Sequence, residues 1–317
     1  MPNTSTSFEH FSLLGFSDFP SLYPYLLLVF LTMYLVTLMG NIVILSCIVY
    51  EQKLHSPMYF FLSNLSLVDI CFTSSTVSTL LSSLLFNKHS ISFNACMAQM
   101  FCFVSFGNLE NNLLAVMAYD RYMAICNPLH YHVKMKNSLC VTLACTSFVA
   151  ACSHSLLHTV MVATLQYTGV KQVNHFFCEI SQVLSISDSD TTLNFLLIVT
   201  EGAVSVGAPF ICIILSYMWI LMAIVQMQSA EGRYKVFSTC SSHLTAVCLF
   251  YGTIVSVYFR PSASASVVSS RLATIGHTLL TPMLNPFIYG LRNNAIKTVV
   301  KKLIWRNMST SFPGNKR

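Results

Sequence analysis

Met117-Ala-Tyr-Asp-Arg-Tyr-Met-Ala-Ile-Cys126 decides how the rest of the chain is read. It closes a long apolar run that begins near Met97, and it gathers an acid, a base and two tyrosines where a membrane helix would leave the bilayer. Taken alone, Asp120-Arg121 fits a headgroup-level anchor as well as a working site, since charges at helix ends often sit there. The surroundings narrow the choice. Of 317 residues, 54% are hydrophobic and 9% charged. That is too little charge to cover a water-soluble body of this length. Runs of roughly 20 or more apolar residues, each able to cross a bilayer core, account for the imbalance. The formal charge of +6 is spread between these runs and is not gathered on a polar domain. It therefore reads as membrane orientation, and no nucleic-acid partner is expected.

Seven apolar segments follow from the pattern: Tyr23–Val49, Pro57–Leu84, Met97–Ile125, Leu139–Met161, Leu193–Val225, Val236–Tyr258 and Leu272–Leu291. Each makes a helix of about 30 Å or more at 1.5 Å per residue. The expected architecture is all-α: a seven-helix transmembrane bundle over residues 23–291, an extracellular segment over 1–22 and a cytoplasmic tail over 292–317. The loops between spans read as short and polar, the longest being Val162–Thr192. There is no internal repeat, which argues against a transporter of duplicated halves, and no charged pore, which argues against a channel.

Charge sets the orientation. Lys53, Lys134, Lys136, Arg233 and Lys235 follow spans one, three and five, and Arg292, Lys297, Lys301, Lys302, Arg306, Lys316 and Arg317 lie in the tail. The opposite face holds Lys88, Lys171, Arg260 and Arg271. The positive-inside rule puts the N-terminus outside and the tail in the cytoplasm. Met1 to Phe19 has no basic n-region, so no cleaved leader is expected. Asn3-Thr4-Ser5 is then an accessible glycosylation sequon at Asn3. In the tail, Ile296, Val299, Val300, Leu303 and Ile304 recur at helical spacing between lysines, the pattern of a short amphipathic helix on the inner leaflet.

Most of the twelve cysteines fall within apolar segments and read as small hydrophobes. Only Cys96 and Cys178 fall at or beyond the outer boundary, where an oxidising exterior leaves them each other as partners. His175-Phe-Phe-Cys178-Glu179 also has the residue types of a metal site, a competing reading that a bonded Cys178 would remove. His154 and His158 are spaced i,i+4 like metal ligands but lack a third ligand on a shared motif, so no metal cofactor and no enzyme are expected.

Charged groups at bilayer depth usually face the bundle interior. Asp69 lies about 18 Å deep in span two, Glu110 about 16 Å deep in span three and Asn41 about 15 Å deep in span one, by helical rise. In one layer these three could hold a sodium ion, or they form a hydrogen-bonded packing cluster. Asn285-Pro286-Phe-Ile-Tyr289 breaks the ladder of span seven and frees a carbonyl for a polar neighbour.

Six stretches in order carry a family resemblance. They are Gly40-Asn41; Leu54-His-Ser-Pro-Met-Tyr-Phe-Phe-Leu-Ser-Asn-Leu-Ser66 with Asp69; Met117 to Cys126; Ser216-Tyr217; Lys235-Val-Phe-Ser-Thr-Cys-Ser-Ser-His243; and Pro282-Met-Leu-Asn-Pro-Phe-Ile-Tyr289. Over nearly its whole length the chain resembles an olfactory (odorant) receptor of the rhodopsin-like, G protein-coupled class. The resemblance implies that Asp120, Arg121, Tyr122, Tyr217, Lys235, His243, Asn285, Pro286 and Tyr289 serve activation and coupling. Arg121 would hold the resting state through Asp120 and meet the G protein when span six swings out. It also implies a stimulatory, olfactory-type heterotrimeric G protein, a rise in cAMP, the plasma membrane of olfactory cilia, contact with membrane lipids and help from trafficking chaperones. A receptor of the same family sensing a metabolite elsewhere is the alternative. The family usually has further cysteines near Thr168 and Asp188, a tryptophan at Phe148 and a serine at Gly290; this chain departs at each.

A small hydrophobic odorant is expected in the outer half of the bundle, where apolar walls carry few polar groups. Phe103, Val104, Gly107, Asn108 and Asn111 line span three there, Glu201, Gly202 and Ser205 span five, Tyr251, Ile254, Val255 and Tyr258 span six, and Thr278 span seven. Glu201 has no obvious basic partner in sequence, with His158 its nearest candidate neighbour. It reads either as a selector of ligands bearing a donor or amine, or as a carboxyl bonded within the protein.

Overall fold

The computed structural model describes residues 10–258, 267–290, 293 and 295–302, the side chains of Tyr258 and Val267 excepted. Asn3, Arg260, Arg292, Leu303, Ile304 and the rest of the tail lie outside the described residues, as does the side chain of Tyr258. The seven apolar segments form seven spans: Tyr23–Tyr50, Pro57–Phe86, Phe93–Cys126, Asn137–Ala163, Thr192–Gln226, Ala230–Tyr258, and a seventh in three pieces. Prolines start spans one and two, where a missing N–H costs nothing. Ser92 caps span three, accepting from the Ala95 amide at 3.3 Å. Asn87, at φ 52°, stops span two in a left-handed turn.

Among the described residues, five helices are long and apolar enough to cross a membrane. Spans three and seven are not among them, for a physical reason. Span three carries Gln99, Asn108, Glu110, Asn111, Asn112, Asp120 and Arg121, and most of these face other spans and not lipid. Span seven is Val267–Ile275, a π-helical turn at Gly276–Leu280, and Thr281–Gly290. The break expected at Pro286 is preceded by this wider turn, which sequence patterning does not reveal.

Two further features were not expected. A three-stranded sheet caps one end of the bundle, with β1 (His10–Leu13) antiparallel to β2 (Ser90–Ser92) and parallel to β3 (Lys171–Val173). Strands of three or four residues, paired across such sequence distances, leave no alternation to read. The segment Val162–Thr192 is also not simply polar: it includes β3 and a short helix, Ile180–Ser185, and it buries Phe176, Phe177 and Cys178 in the core. At the other end, residues 295–302 form a helix that buries Ile296 and Val299 against the main core. Asn293 Oδ1 caps it, accepting from the amides of Ala295 and Ile296. The two ends are called below the sheet end and the Arg121 end.

Candidate functional site

Midway through the bundle, the polar layer assembles around Asn285. Its Nδ2 donates to both oxygens of Asp69, at 3.2 and 3.0 Å, and to Glu110 Oε1 at 3.5 Å. All three residues are buried. Asn41, expected as the third member, is bonded elsewhere: its Nδ2 donates to Thr37 O at 3.0 Å and Pro282 O at 3.3 Å. Pro282 is four residues before Pro286, so its carbonyl is the one that Pro286 leaves without an amide. Span five repeats the device. Pro209 frees the carbonyl of Ser205, and Asn111 Nδ2 of span three donates to it at 2.9 Å. Tyr251 donates to Asn111 Oδ1 at 2.5 Å. Asn111 and Tyr251, expected to face a ligand, thus hold each other and the broken ladder of span five.

Toward the Arg121 end, His243 joins three spans. Its Nε2 lies 3.0 Å from Leu114 O and its Nδ1 2.8 Å from Tyr217 Oη. A carbonyl only accepts, so Nε2 carries a proton; in the neutral ring Tyr217 then donates to Nδ1. The expected Asp120–Arg121 ion pair is absent among the described residues. Asp120 accepts instead from Tyr131 Oη at 2.8 Å, in the short helix Pro128–Lys134, and the Arg121 guanidinium lies against Met58 Sδ. Adjacent helical residues point about 100° apart, so neighbours in sequence rarely pair. Burial, and then the Asp120 carboxylate beside it, push the Tyr131 phenol up. A cavity of about 510 Å³ opens here, lined by Arg121, Lys235, His243, Tyr289 and Asn293 among others. Tyr289 Oη is buried with no hydrogen-bond partner among the described residues, and Tyr122 is half-buried against the core.

At the sheet end, Phe103 is sandwiched between Phe72, at 5.3 Å between ring centres, and Phe177, at 4.7 Å. Gly107 faces the Phe72 ring with ordinary spacing. Val104, Asn108, Glu201, Gly202 and Ser205 are half-buried and Ile254 is buried. Val255 is 54% exposed and lies on the outer surface of span six, a correction to the expected set. It sits on the lipid-facing side of the arc that Tyr251 and Ile254 turn inward. Thr278 is buried, but its hydroxyl is spent on Thr274 O and its carbonyl on Thr73, so it serves packing of spans two and seven. Glu201 lies within electrostatic reach of His154 and His158.

Cys96 and Cys178 form the expected disulfide. Gln99 holds the same loop, accepting from the Cys178 amide at 3.0 Å and donating to Ser75 O and Thr79 Oγ1. The bonded sulfur removes the metal reading of residues 175–179, and among the described residues no group of three His, Cys, Asp or Glu could hold a metal ion. His175 is buried against Phe176 and Phe177, and burial followed by the Arg271 charge lowers it to about 3. Arg271, 1% exposed, reaches across the end to Asp18 at 3.1 Å and Asn174 at 2.6 Å. Sequence reading missed Phe177, Gln99, Tyr131 and Arg271. Only the apolar pair Phe176-Phe177 inside a polar loop signalled a buried segment.

Seven spans, a disulfide from span three to the long loop after span four, and a charged cavity at the far end define a seven-helix membrane receptor of rhodopsin type. The fold matches squid rhodopsin with a TM-score of 0.67 at 17% identity, over 93% of this chain and 81% of that one. The family model described as olfactory receptor matches residues 30–307. Olfactory receptor 1f45 of Rattus norvegicus is 47% identical over 299 residues, 94% of this chain and 96% of its own. Olfactory receptor 1F1 of Homo sapiens is 46% identical over 301 residues, covering 95% and 96%. The chain belongs to the olfactory receptor family, signalling receptors and not enzymes.

Proposed function

We propose that this receptor binds a small, largely apolar odorant between spans three, four, five and six near the sheet end, and transmits binding to a stimulatory, olfactory-type G protein at the Arg121 end, raising cAMP. The cavity of about 510 Å³ at the Arg121 end carries the coupling half of this reading. It sets a guanidinium with no ion pair among the described residues, the His243 bridge and a Tyr289 hydroxyl with no hydrogen-bond partner among them around one opening, so a shift of span six changes what a partner can reach. An agonist works by binding one of two bundle arrangements better. Arg121→Ala is expected to abolish the agonist-evoked cAMP rise at normal surface expression; full signalling by that variant overturns the coupling role.

The central layer fits a small cation. Glu110 Oε2 and Asn285 Oδ1 are buried oxygens with no hydrogen-bond partner among the described residues, and two carboxyls sharing one amide need a neutralising proton or ion. Asp69, Glu110 and Asn285 would hold sodium there, with Asn41 outside the set. Asp69→Asn is expected to remove sodium dependence of thermal stability, and an unchanged dependence refutes the ion.

A further inference from the structure

The side chain of His154 in span four is fixed by a chain of donors. Asn108 Nδ2 donates to Val104 O at 2.9 Å and lies 3.3 Å from His154 Nδ1. A carbonyl oxygen can only accept, so the amide nitrogen, not its oxygen, faces both partners. That nitrogen carries two hydrogens and accepts nothing, so His154 Nδ1 must be the acceptor. A neutral imidazole that accepts at Nδ1 carries its proton on Nε2. His154 Nε2 is buried and has no hydrogen-bond partner among the described residues. A buried N–H left unmet is costly, and the cost disappears when an acceptor arrives. The neighbouring ring of His158 stands edge-on at 4.6 Å and offers no acceptor at hydrogen-bond distance.

We infer that His154 selects the ligand: its Nε2–H donates to an uncharged carbonyl oxygen, so aldehydes, ketones and esters are favoured over hydrocarbons of the same skeleton. The inference rests on the reading that the ligand lies between spans three, four and five, beside Asn108 and Glu201. Asn108 is the positioning residue, because its amide fixes which nitrogen of His154 bears the proton. Selectivity of this kind is large where a site is built around one polar group, since the wrong ligand leaves that group unpaired.

The test uses the full chain in cells with a cAMP reporter and surface expression counted by an antibody tag. Chain-matched ketones, aldehydes, esters and hydrocarbons form the panel. The same compounds are scored by thermal stabilisation of the solubilised receptor, which reports binding without activation. Carbonyl compounds are expected to bind at least about tenfold better than matched hydrocarbons. His154→Phe, which keeps a ring and removes the donor, is expected to erase that ratio, and His154→Gln, which restores a donor, to recover part of it. Equal affinity across the panel, no stabilisation by any carbonyl compound, or an unchanged ratio in His154→Phe overturns the inference. So does an equal loss for both classes, which would mark a structural contact to Glu201. Val104→Trp separates the two levels. If it leaves every ligand unaffected, the site itself is misplaced; if it blocks all of them while His154→Phe changes nothing, only the donor role fails.

Discussion

Gly40 sets how closely spans one and seven approach. A Cβ added there would lie 2.9 Å from both Cβ and Cγ of Pro286, ring carbons that cannot swing aside. Gly40→Ala should therefore push the two spans apart and cost about 1–3 kcal/mol, read as a lower melting temperature of the solubilised receptor. A methyl added at Gly207 of span five would meet nothing within 4 Å, so Gly207→Ala should be neutral or slightly stabilising through helix propensity. A drop of equal size in both variants would sink the packing argument. The same spot shows what residues reveal and hide. Pro286, Pro209, Asn41 and Asn111 are each visible in the sequence as a breaker or a buried amide. Which amide serves which broken carbonyl depends on helix rotation and neighbour identity, and those are tertiary facts. For that reason Asn111 reads from sequence as ligand-facing, and Asn285 as part of the span-seven break and the activation set, not of the polar layer.

At the scale of elements, the long loop after span four behaves as part of the core. His175 is buried beside Arg271, and its pKa falls from 6.5 to about 3. A base whose folded pKa is lowered binds its proton first in the unfolded chain, so stability rises with pH between those two values. Acidifying from pH 6.5 to 5 should cost this site about 2 kcal/mol, at about 1.4 kcal/mol per unit. His175→Asn should melt with a weaker acid dependence than the parent; parallel curves would reject the assignment. The same loop departs from its family where cysteines are usual near Thr168 and Asp188. There Asp188 Oδ2 accepts from the Thr168 amide at 2.7 Å and its hydroxyl at 2.8 Å, while Oδ1 meets Lys171 at 2.5 Å. These bonds hold the exposed carboxyl below the usual range. Polar contacts thus span the gap that a covalent bond would close. Thr168→Cys with Asp188→Cys should crosslink spontaneously in the oxidised receptor, seen as a shift in mass on reduction; two free thiols would show that the two segments diverge here. The limits of spans one, two, four and five were legible to within two residues because long apolar runs and terminal prolines are local, whereas spans three, seven and six begin four, five and six residues earlier than expected, since their first turns lie outside the apolar runs. The sheet and the aromatic plug were not, because their partners lie far apart along the chain.

For the whole molecule, the charge distribution over the folded bundle sharpens the orientation beyond a count of loop residues. At the sheet end, Lys171 is paired with Asp188 and Arg271 with Asp18, leaving Lys88 as the described basic residue there without an ion pair. At the Arg121 end, Lys302 pairs with Glu51, but Lys53, Lys134, Lys136, Arg233, Lys235, Lys297 and Lys301 form no ion pair with a described residue. Unpaired positive charge is what the anionic inner leaflet attracts, at about 1 kcal/mol per residue near the surface, and pairing at the opposite end removes the competing pull. The sheet end should therefore face outward, which also places Cys96–Cys178 in an oxidising space. A tag at the N-terminus should be stained on intact cells and one at the C-terminus only after permeabilisation. Lys171→Glu would raise the asymmetry and leave this pattern intact. Reversing Lys134, Lys136, Arg233 and Lys235 together to glutamate should give a mixed or inverted population. A C-terminal tag stained on intact cells of the parent would overturn the orientation and, with it, the assignment of the Arg121 cavity to a cytoplasmic partner.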